Sequence, residues 1–172
     1  MFLFGLHLIL KQYSEDRLVL LIPLRFRLFM IFIVLFILFA LLSFTPGGMT
    51  ELFSTANTLP LLIVFISLLS SLYQESWTWE HSTGLLQYKF GLLFLYKNRT
   101  IKLSDLDRVE VLLIKRSSIP GKPRAVIALS LHDRKGNSHR LENSSYNRLK
   151  EITTMGERIA LFCDIPLVKP TP

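Results

Sequence analysis

The chain has almost no cysteine and, over a long stretch, no positive charge at all. Cys163 is the only cysteine among 172 residues. An internal disulfide is therefore excluded, and a cysteine-based metal cluster is not expected. No Lys or Arg occurs between Leu28 and Tyr88, whereas sixteen of the twenty follow from Lys89 onward. This distribution predicts an apolar first part and a basic second part.

The composition is more apolar than that of most globular proteins. Half of the residues are hydrophobic, and the mean hydropathy is +0.39. The length suits one membrane unit and one small soluble unit. Residues 75–172 carry sixteen cations and ten acids, which gives them +6 of the net charge of +7. Such a surface is attracted to anionic lipid or to acidic partners.

Two uncharged segments predict a pair of membrane helices. The first, Leu28–Phe44, is dominated by Phe, Ile and Leu, and as a helix it would span about 26 Å. The second runs from Leu52 to Gln74, with Pro60 in its first turn, where the missing N–H costs nothing. We therefore predict a two-helix transmembrane hairpin over residues 27–74.

The basic residues predict the orientation of this hairpin. The connecting loop has no Lys or Arg, whereas Arg25 and Arg27 precede the first helix and the basic part follows the second. By the positive-inside rule both termini are cytoplasmic. Residues 1–26 then form a cytoplasmic or interfacial segment of open role, in which Pro23 argues against a central strand. The expected location is a membrane, crossed by multiple passes.

From Glu75 the periodicity becomes that of strands. Residues 75–172 read as seven short antiparallel strands, with a turn at Lys97–Arg99, followed by an amphipathic C-terminal helix that caps the sheet. Trp77 and Trp79 alternate onto one face. They could lie in the aromatic belt at the headgroup level, or one could enter the core of the sheet, and we expect the belt together with the first strand. The predicted fold class is α+β, with a β-barrel or sandwich as the soluble part.

Several polar residues raise the questions of catalysis, metal binding and a reactive thiol. Asp105, Asp107 and Glu110 could suggest general acid or base catalysis. The two aspartates fall in a turn, and no nucleophile or second base lies nearby, so no catalytic residue is predicted. His132 and His139 flank a hairpin turn and could approach each other, but two ligands without a clear third do not make a metal site. Cys163 lies on the apolar stripe of the last helix and reads as a packed core residue. No cofactor or metal is predicted.

The basic residues carry the most functional content. They gather at two turns of the soluble part and are candidates for contact with anionic headgroups or with a protein partner. They are Lys97, Arg99, Lys102, Lys115, Arg116, Lys122 and Arg124. No interleaved aromatic pattern of an RNA-binding motif accompanies them, so nucleic acid is not an expected partner. Self-association into a homo-oligomer remains open.

The chain resembles bacterial pleckstrin-homology-like (PH-like) membrane proteins. The resemblance lies in the apolar hairpin, in "RTIKLSDLDRVEV" (Arg99–Val111) and in "RIALFCDIPL" (Arg158–Leu167). It implies a PH-like β-domain at a bacterial inner (cytoplasmic) membrane. The first loop of this domain, "STG", has none of the cations that bind phosphoinositides in related domains. The chain is also similar to the photosystem I assembly factor family at "KNRTI", "GKPRAV" and "IALFCDIPL", which would imply a thylakoid location.

The expected function is therefore that of a non-enzymatic membrane protein with a docking module at the cytoplasmic face. Docking would use strand addition at a sheet edge or a groove beside the terminal helix. Two alternatives remain: an assembly factor for a membrane complex of the photosystem type, and a membrane enzyme of unknown chemistry.

Overall fold

A computed structural model describes residues 7–44, 54–116 and 124–170 of the chain. Within these residues the protein forms nine strands and three α-helices, so the predicted mixed α+β class with a C-terminal helix is confirmed. The strands are β1 (Ile9–Ser14), β2 (Arg17–Leu21), β3 (Tyr73–Glu80), β4 (Leu85–Leu92), β5 (Leu95–Lys102), β6 (Leu106–Arg116), β7 (Arg124–Asp133), β8 (Ser138–Ser145) and β9 (Leu167–Val168). The helices are α1 (Leu24–Phe44), α2 (Thr58–Leu72) and α3 (Leu149–Cys163).

The strands form two sheets rather than one closed barrel in the described part of the chain. One sheet has the order β1-β2-β3-β4-β5, and the other has the order β8-β7-β6-β9. Neighbouring strands such as β1 and β2, β2 and β3, and β6 and β7 are antiparallel, whereas the short β9 pairs parallel to β6. The antiparallel sheets agree with the alternation in the sequence, and of the two forms predicted for the soluble part the barrel is not found.

The chain divides into two compact units. The first unit comprises the described residues of Met1–Leu21, Ser76–Lys89 and Asn98–Pro172, and the second comprises those of Ile22–Glu75 and Phe90–Lys97. The N-terminal hairpin therefore belongs to the same unit as most of the C-terminal strands, which the sequence did not indicate. Its strand β2 is an interior strand. It is compatible with Pro23 because the strand ends at Leu21, before the proline.

Alternating apolar side chains build the core of the first unit. Leu18 and Leu20 of β2 lie opposite Trp79 and Trp77 of β3, and all four side chains are at most 3% exposed. The ring of Trp77 also stacks on that of Tyr88, with centroids 3.9 Å apart. The expectation that the tryptophans reach an aromatic belt is therefore wrong. Period-two alternation directs both rings to the buried face of the sheet.

In the second unit only α1, among the described helices, is long and apolar enough to cross a membrane. It has 21 residues and a mean hydropathy of 2.7, and 11% of its most apolar window is buried. α2 has 15 residues and is shorter than the predicted segment Leu52–Gln74. Its length of about 22 Å falls below a bilayer core of roughly 30 Å. The predicted pair of full-length spans is therefore not found. The chain enters β3 at Tyr73, and residues 51–53 lie outside the described part.

The two helices of the second unit pack antiparallel. Ala40 and Phe44, near the end of α1, line one groove together with Leu59 and Ile63, near the start of α2. Pro60 occupies the first turn of α2, as predicted. The buried residues of α2 are Ser67 and Ser71, one turn apart. Small side chains of this kind let helix backbones approach closely.

The hairpin of β4 and β5 differs from the prediction. The turn expected at Lys97–Arg99 lies inside β5, and the actual two-residue turn is formed by Leu93 and Phe94. Gly91 explains the difference because it has φ +140°, and a Cβ built on it would lie 2.3 Å from the carbonyl oxygen of Leu95. Only glycine accepts both this backbone conformation and this close approach.

Gly91→Ala should open this hairpin locally. The positive φ and the clash with Leu95 together cost about 2 kcal/mol, which raises the population of the open hairpin roughly 30-fold. Limited trypsin digestion should therefore cleave faster after Lys97, which is exposed on β5. Gly84→Ala is the matched control, since Gly84 has φ +66° but nothing within 4 Å of an added Cβ. Equal cleavage after Lys97 in the two variants would contradict this account.

The C-terminal helix α3 packs on the sheet of β6–β9 through its apolar stripe. Its buried residues are Ile152, Met155, Gly156, Ile159 and Ala160. A Cβ built on Gly156 would lie 3.1 Å from Leu167 and 3.2 Å from Leu129, so the glycine lets helix and sheet approach closely. After the helix, β9 is held beside β6, and Lys169 pairs with Glu157 at 2.8 Å. The terminal helix thus packs on one face of this sheet, which is the position predicted for it.

Candidate functional site

A groove in the first unit lies between strand β1 and helix α3. It has a volume of about 560 Å³. One wall is the start of the N-terminal hairpin, and the other is a continuous face of the last helix and of the turn before it. The lining residues are Leu8, Ile9, Leu10, Asn147, Arg148, Lys150, Glu151, Thr154, Met155 and Arg158.

The helix wall combines an apolar floor with a charged rim. Met155 is buried and belongs to the stripe that packs on the sheet, whereas Lys150, Thr154 and Arg158 are exposed. Residues spaced by four along a helix lie on the same face, so these side chains follow the groove. Three cations and one carboxylate line this wall, and the carboxylate of Glu151 is paired with Arg148. The rim is therefore basic.

The other wall is the edge of a sheet. β1 is the first strand in the order β1-β2-β3-β4-β5, so one side of its backbone pairs with β2 and the other has no neighbouring strand among the described residues. Most of its residues are exposed. An edge strand presents unpaired N–H and C=O groups that can accept a further strand. The groove thus places the backbone edge of β1 beside a basic helix, and the N–H of Leu8, just before β1, is already bonded to Glu142.

The buried carboxylate of Glu142 bonds a residue that lines this groove. Glu142 of β8 is 2% exposed, and its Oε1 accepts hydrogen bonds from Arg148 Nη1 at 3.0 Å and lies 3.4 Å from His7 Nδ1. Arg148 also donates from Nη1 to the hydroxyl of Ser144 at 3.3 Å. A bidentate pair joins the same guanidinium to Glu151, with Nε–Oε2 at 2.7 Å and Nη2–Oε1 at 2.5 Å. Arg148 therefore links β8 to the first turn of α3.

Burial and charge shift the pKa values of this cluster in opposite directions. Burial raises the pKa of Glu142 from 4.5 to about 7, although Arg148 acts against the shift. The hydrogen bond to Arg148 lowers the pKa of Glu151, and that bond in turn raises the pKa of Arg148. Burial also lowers the pKa of His7, with Arg148 contributing in the same direction. Glu142 thus changes charge near neutral pH inside a structural network.

This cluster could not be predicted from the alternation of residues, because a β-bulge interrupts strand β8. Leu129 pairs with Glu142, whereas Ser130 pairs with Arg140, so Leu141 is an extra residue in β8. The bulge makes Leu141 and Glu142 both buried and breaks the alternation that would have placed Glu142 outside. A simple period-two reading therefore assigns this carboxylate to the solvent face.

The described residues of the predicted basic clusters lie on β5 and on the paired strands β6 and β7. Lys97, Arg99 and Lys102 are all exposed on β5, with Lys97 in the second unit and the other two in the first. Arg116 and Arg124 lie directly opposite each other in the pairing of β6 with β7, and Lys115 is adjacent. For these three, the backbone positions are described and the side chains are not. Lys122 lies outside the described residues.

The residues considered for chemistry do not line the groove. His132 Nε2 lies 2.8 Å from Glu110 Oε2, whereas His139 Nε2 lies 3.7 Å from Asp133 Oδ2. The two imidazoles therefore face different carboxylates, and no group of three metal-ligating side chains occurs in the described part of the chain. Asp133 instead shapes its own turn, accepting from the N–H groups of residues 135 and 137.

The other candidates have ordinary surroundings. Asp107 pairs with the neighbouring Arg108 at 2.7 Å on the surface, and Asp105 lies in a 3-10 turn. Cys163 is half-buried at the end of α3, and burial raises the pKa of its thiol to about 12. A thiol with this pKa is protonated near neutral pH, which disfavours nucleophilic chemistry.

Comparison with known proteins does not assign the chain to a family. No protein-family model matches the chain. No curated protein matches it at a significant level.

Proposed function

We propose that this protein is a non-enzymatic membrane protein whose first unit is a docking module for an extended, acidic segment of a protein partner. The groove between β1 and α3 carries the proposal. The partner segment adds to the open edge of β1 by backbone hydrogen bonds, and its side chains meet the helix wall. The docking unit corresponds to a PH-like domain, as the resemblance implies. Antiparallel strands and a C-terminal helix on a sheet support this assignment.

The charges of the groove favour this occupant. Lys150 and Arg158 are exposed on the helix wall, and no ion pair engages either of them among the described contacts. Arg148, by contrast, already forms ion pairs with Glu142 and Glu151. Two open cations beside an unpaired strand edge fit acidic side chains on a strand-like peptide. The anionic bilayer surface is the competing occupant.

The apolar helices support a membrane location. α1 exposes a broad face of large side chains, among them Phe29, Phe32, Phe36 and Phe39, each at least 57% exposed. A soluble protein rarely leaves such a surface uncovered. In this proposal α1 crosses the bilayer, and the shorter α2 packs antiparallel to it and returns the chain to the starting side. Both termini are then cytoplasmic by the positive-inside rule. The membrane is a bacterial cytoplasmic membrane.

Site-specific photo-crosslinking in native membranes tests the proposal. A photoreactive amino acid at Thr154, in the groove, should form a protein adduct of one discrete mass. The double variant Lys150→Glu/Arg158→Glu should remove this adduct, because reversing both charges repels an acidic segment. The same probe at Glu157, which is on α3 but outside the groove, is the positional control. Mass spectrometry of the adduct should map it to an acidic stretch of the partner.

Three outcomes would overturn the docking function. The first is recovery of phospholipid adducts alone at Thr154, and the second is an adduct of twice the chain mass, which would indicate self-association. The third is a protein adduct that charge reversal leaves unchanged. Lys150 and Arg158 are exposed, so the double variant should keep its unfolding midpoint. This measurement separates loss of docking from loss of the fold.

A further inference from the structure

The turn between β4 and β5 is made of residues that turns seldom use. Tight two-residue hairpins favour Asn-Gly, Asp-Gly or another glycine-containing pair. Here the turn residues are Leu93 and Phe94, which are 39% and 84% exposed, and Leu95 follows at 79%. Gly91 instead supplies the special backbone conformation, two residues before the turn. The turn geometry therefore does not require apolar side chains at these positions, and their exposure requires another explanation.

A hydrogen bond fixes this turn at the end of the second helix. The backbone N–H of Leu93 donates to the carbonyl oxygen of Leu72, the last residue of α2, at 3.0 Å. The last carbonyl groups of a helix have no partner within it, so this bond satisfies one of them. The hairpin tip, defined as Leu93–Tyr96, thus lies where the apolar run of α2 stops. Both elements belong to the second unit.

The residues of the tip follow the order of a membrane interface. The most exposed apolar side chains, Phe94 and Leu95, come first. Tyr96 follows at 55% exposure, and Lys97 is exposed beyond it. Tyrosine prefers the headgroup level because its ring is apolar and its hydroxyl is polar. Lysine can keep its ammonium group at the phosphates while its alkyl chain covers apolar surface.

We propose that the hairpin tip is an interfacial anchor that inserts Phe94 and Leu95 among the lipid headgroups, with Lys97 contacting anionic phosphates. The proposal rests on the membrane location given above. Continuity with α1 and α2 in the same unit identifies lipid as the occupant, because the tip prolongs an apolar helical surface. A partner protein or a second copy of the chain would cover a surface of similar chemistry, and the experiment distinguishes both from lipid.

Fluorescence quenching in vesicles measures the depth of the tip. Cys163 is the only cysteine, so Cys163→Ser gives a background in which single cysteines can carry a bimane label. The full chain is reconstituted in phosphatidylcholine, with or without phosphatidylglycerol, containing lipids brominated either near the headgroup or deep in the acyl chain. The test position is Phe94→Cys. Phe36→Cys in α1 reports helix insertion, and Ser82→Cys, in the turn at the other end of β4, is the control hairpin position.

The expected result is strong quenching at position 94 by shallow bromines and weak quenching by deep ones. Position 36 should be quenched by acyl-chain bromines, and position 82 by neither. Adding phosphatidylglycerol should increase the shallow quenching at position 94. Lys97→Gln should remove this increase, since one cation at an anionic surface changes the partition of the tip by about five-fold.

The outcomes separate this inference from the membrane location. Quenching at 36 but not at 94 overturns the anchor and leaves the membrane location intact. Quenching at neither position overturns the membrane location as well. The label at 94 could also escape quenching by bromolipid but show self-quenching. If mixing labelled with unlabelled protein relieved that self-quenching, a second copy of the chain would cover the tip. If Lys97→Gln also changed quenching at 36, the variant would disturb folding. Lys97→Arg keeps the positive charge, so its quenching at 94 should rise with phosphatidylglycerol as in the wild type.

Discussion

Replacement of Leu20 by alanine is expected to lower the free energy of unfolding of the first unit by about 3 kcal/mol. Leu20 is fully buried and lies opposite Trp77 in the pairing of β2 with β3. Truncation removes its apolar contacts and leaves a cavity beside the indole. Urea unfolding of the detergent-solubilised protein, followed by tryptophan emission, measures the change because the only two tryptophans lie in this core.

This variant tests whether the N-terminal hairpin belongs to the folded β-unit. Tyr13→Ala is the matched control, since Tyr13 lies on the neighbouring strand β1 of the same hairpin and is 62% exposed. We expect the control to change stability by less than about 0.5 kcal/mol. If Leu20→Ala left the tryptophan transition where it is in the wild type, the assignment of β2 to the core would be wrong.

Replacement of Arg148 by methionine is expected to cost about 3 kcal/mol at pH 8 and much less at pH 5. At pH 8 Glu142 is largely ionised in the wild type, because its raised pKa is about 7, and Arg148 is its counter-charge at 3.0 Å. Without Arg148 the protein must bury an uncompensated charge or keep the carboxyl protonated. At pH 5 Glu142 is already neutral, so the variant loses mainly hydrogen bonds. Unfolding midpoints at the two pH values measure the difference.

The sign of this pH dependence follows from proton linkage. A carboxyl whose pKa is higher in the folded than in the unfolded protein binds more protons when folded, so stability falls as the pH rises from 4.5 through 7. The removal of Arg148 should raise the pKa of Glu142 further and steepen this fall. The lowered pKa of His7 acts in the opposite direction below pH 6.5. Both proteins should therefore be compared in a His7→Gln background.

A double variant gives the decisive control for this cluster. Arg148→Met/Glu142→Gln removes both charges and should recover most of the stability lost at pH 8, with little remaining dependence on pH between 5 and 8. Glu151→Gln alone should cost less than about 1 kcal/mol, because its side chain is 57% exposed. If Arg148→Met were equally destabilising at both pH values, the charge of Glu142 would not be the cause.

The sequence predicted elements where one local pattern was sufficient. The uninterrupted apolar run of α1 and the amphipathic stripe of α3 need no tertiary information, because a helix periodicity over many residues has few alternatives. The alternation of Trp77 and Trp79 likewise placed them correctly on one face. It could not show that the face is buried or that Leu18 and Leu20 of β2 share it, because strand neighbours are chosen by contacts distant in the sequence. The N-terminal hairpin was missed for the same reason.

The predicted β4–β5 turn and the predicted faces of β8 were wrong because, in each strand, one residue changes the alternation of side chains. Gly91 moved the β4–β5 turn to Leu93 and Phe94, away from the polar residues that turns usually contain. The bulge at Leu141 turned Glu142 inward and created a buried cluster from residues that read as a solvent face. A shift of one residue exchanges the two faces of a strand, so such changes cannot be recovered from composition or alternation.

The amino-acid sequence by itself determined that this protein has an apolar helical part, a basic part rich in antiparallel strands and an amphipathic last helix. These features follow from hydrophobic periodicity and from charge distribution, which are local properties of the chain. The tertiary structure alone decided that β1 is an open sheet edge beside α3, and that Arg148 neutralises the buried Glu142 at the base of the groove. Both depend on strand order and on a bulge, through which residues more than a hundred positions apart come into contact.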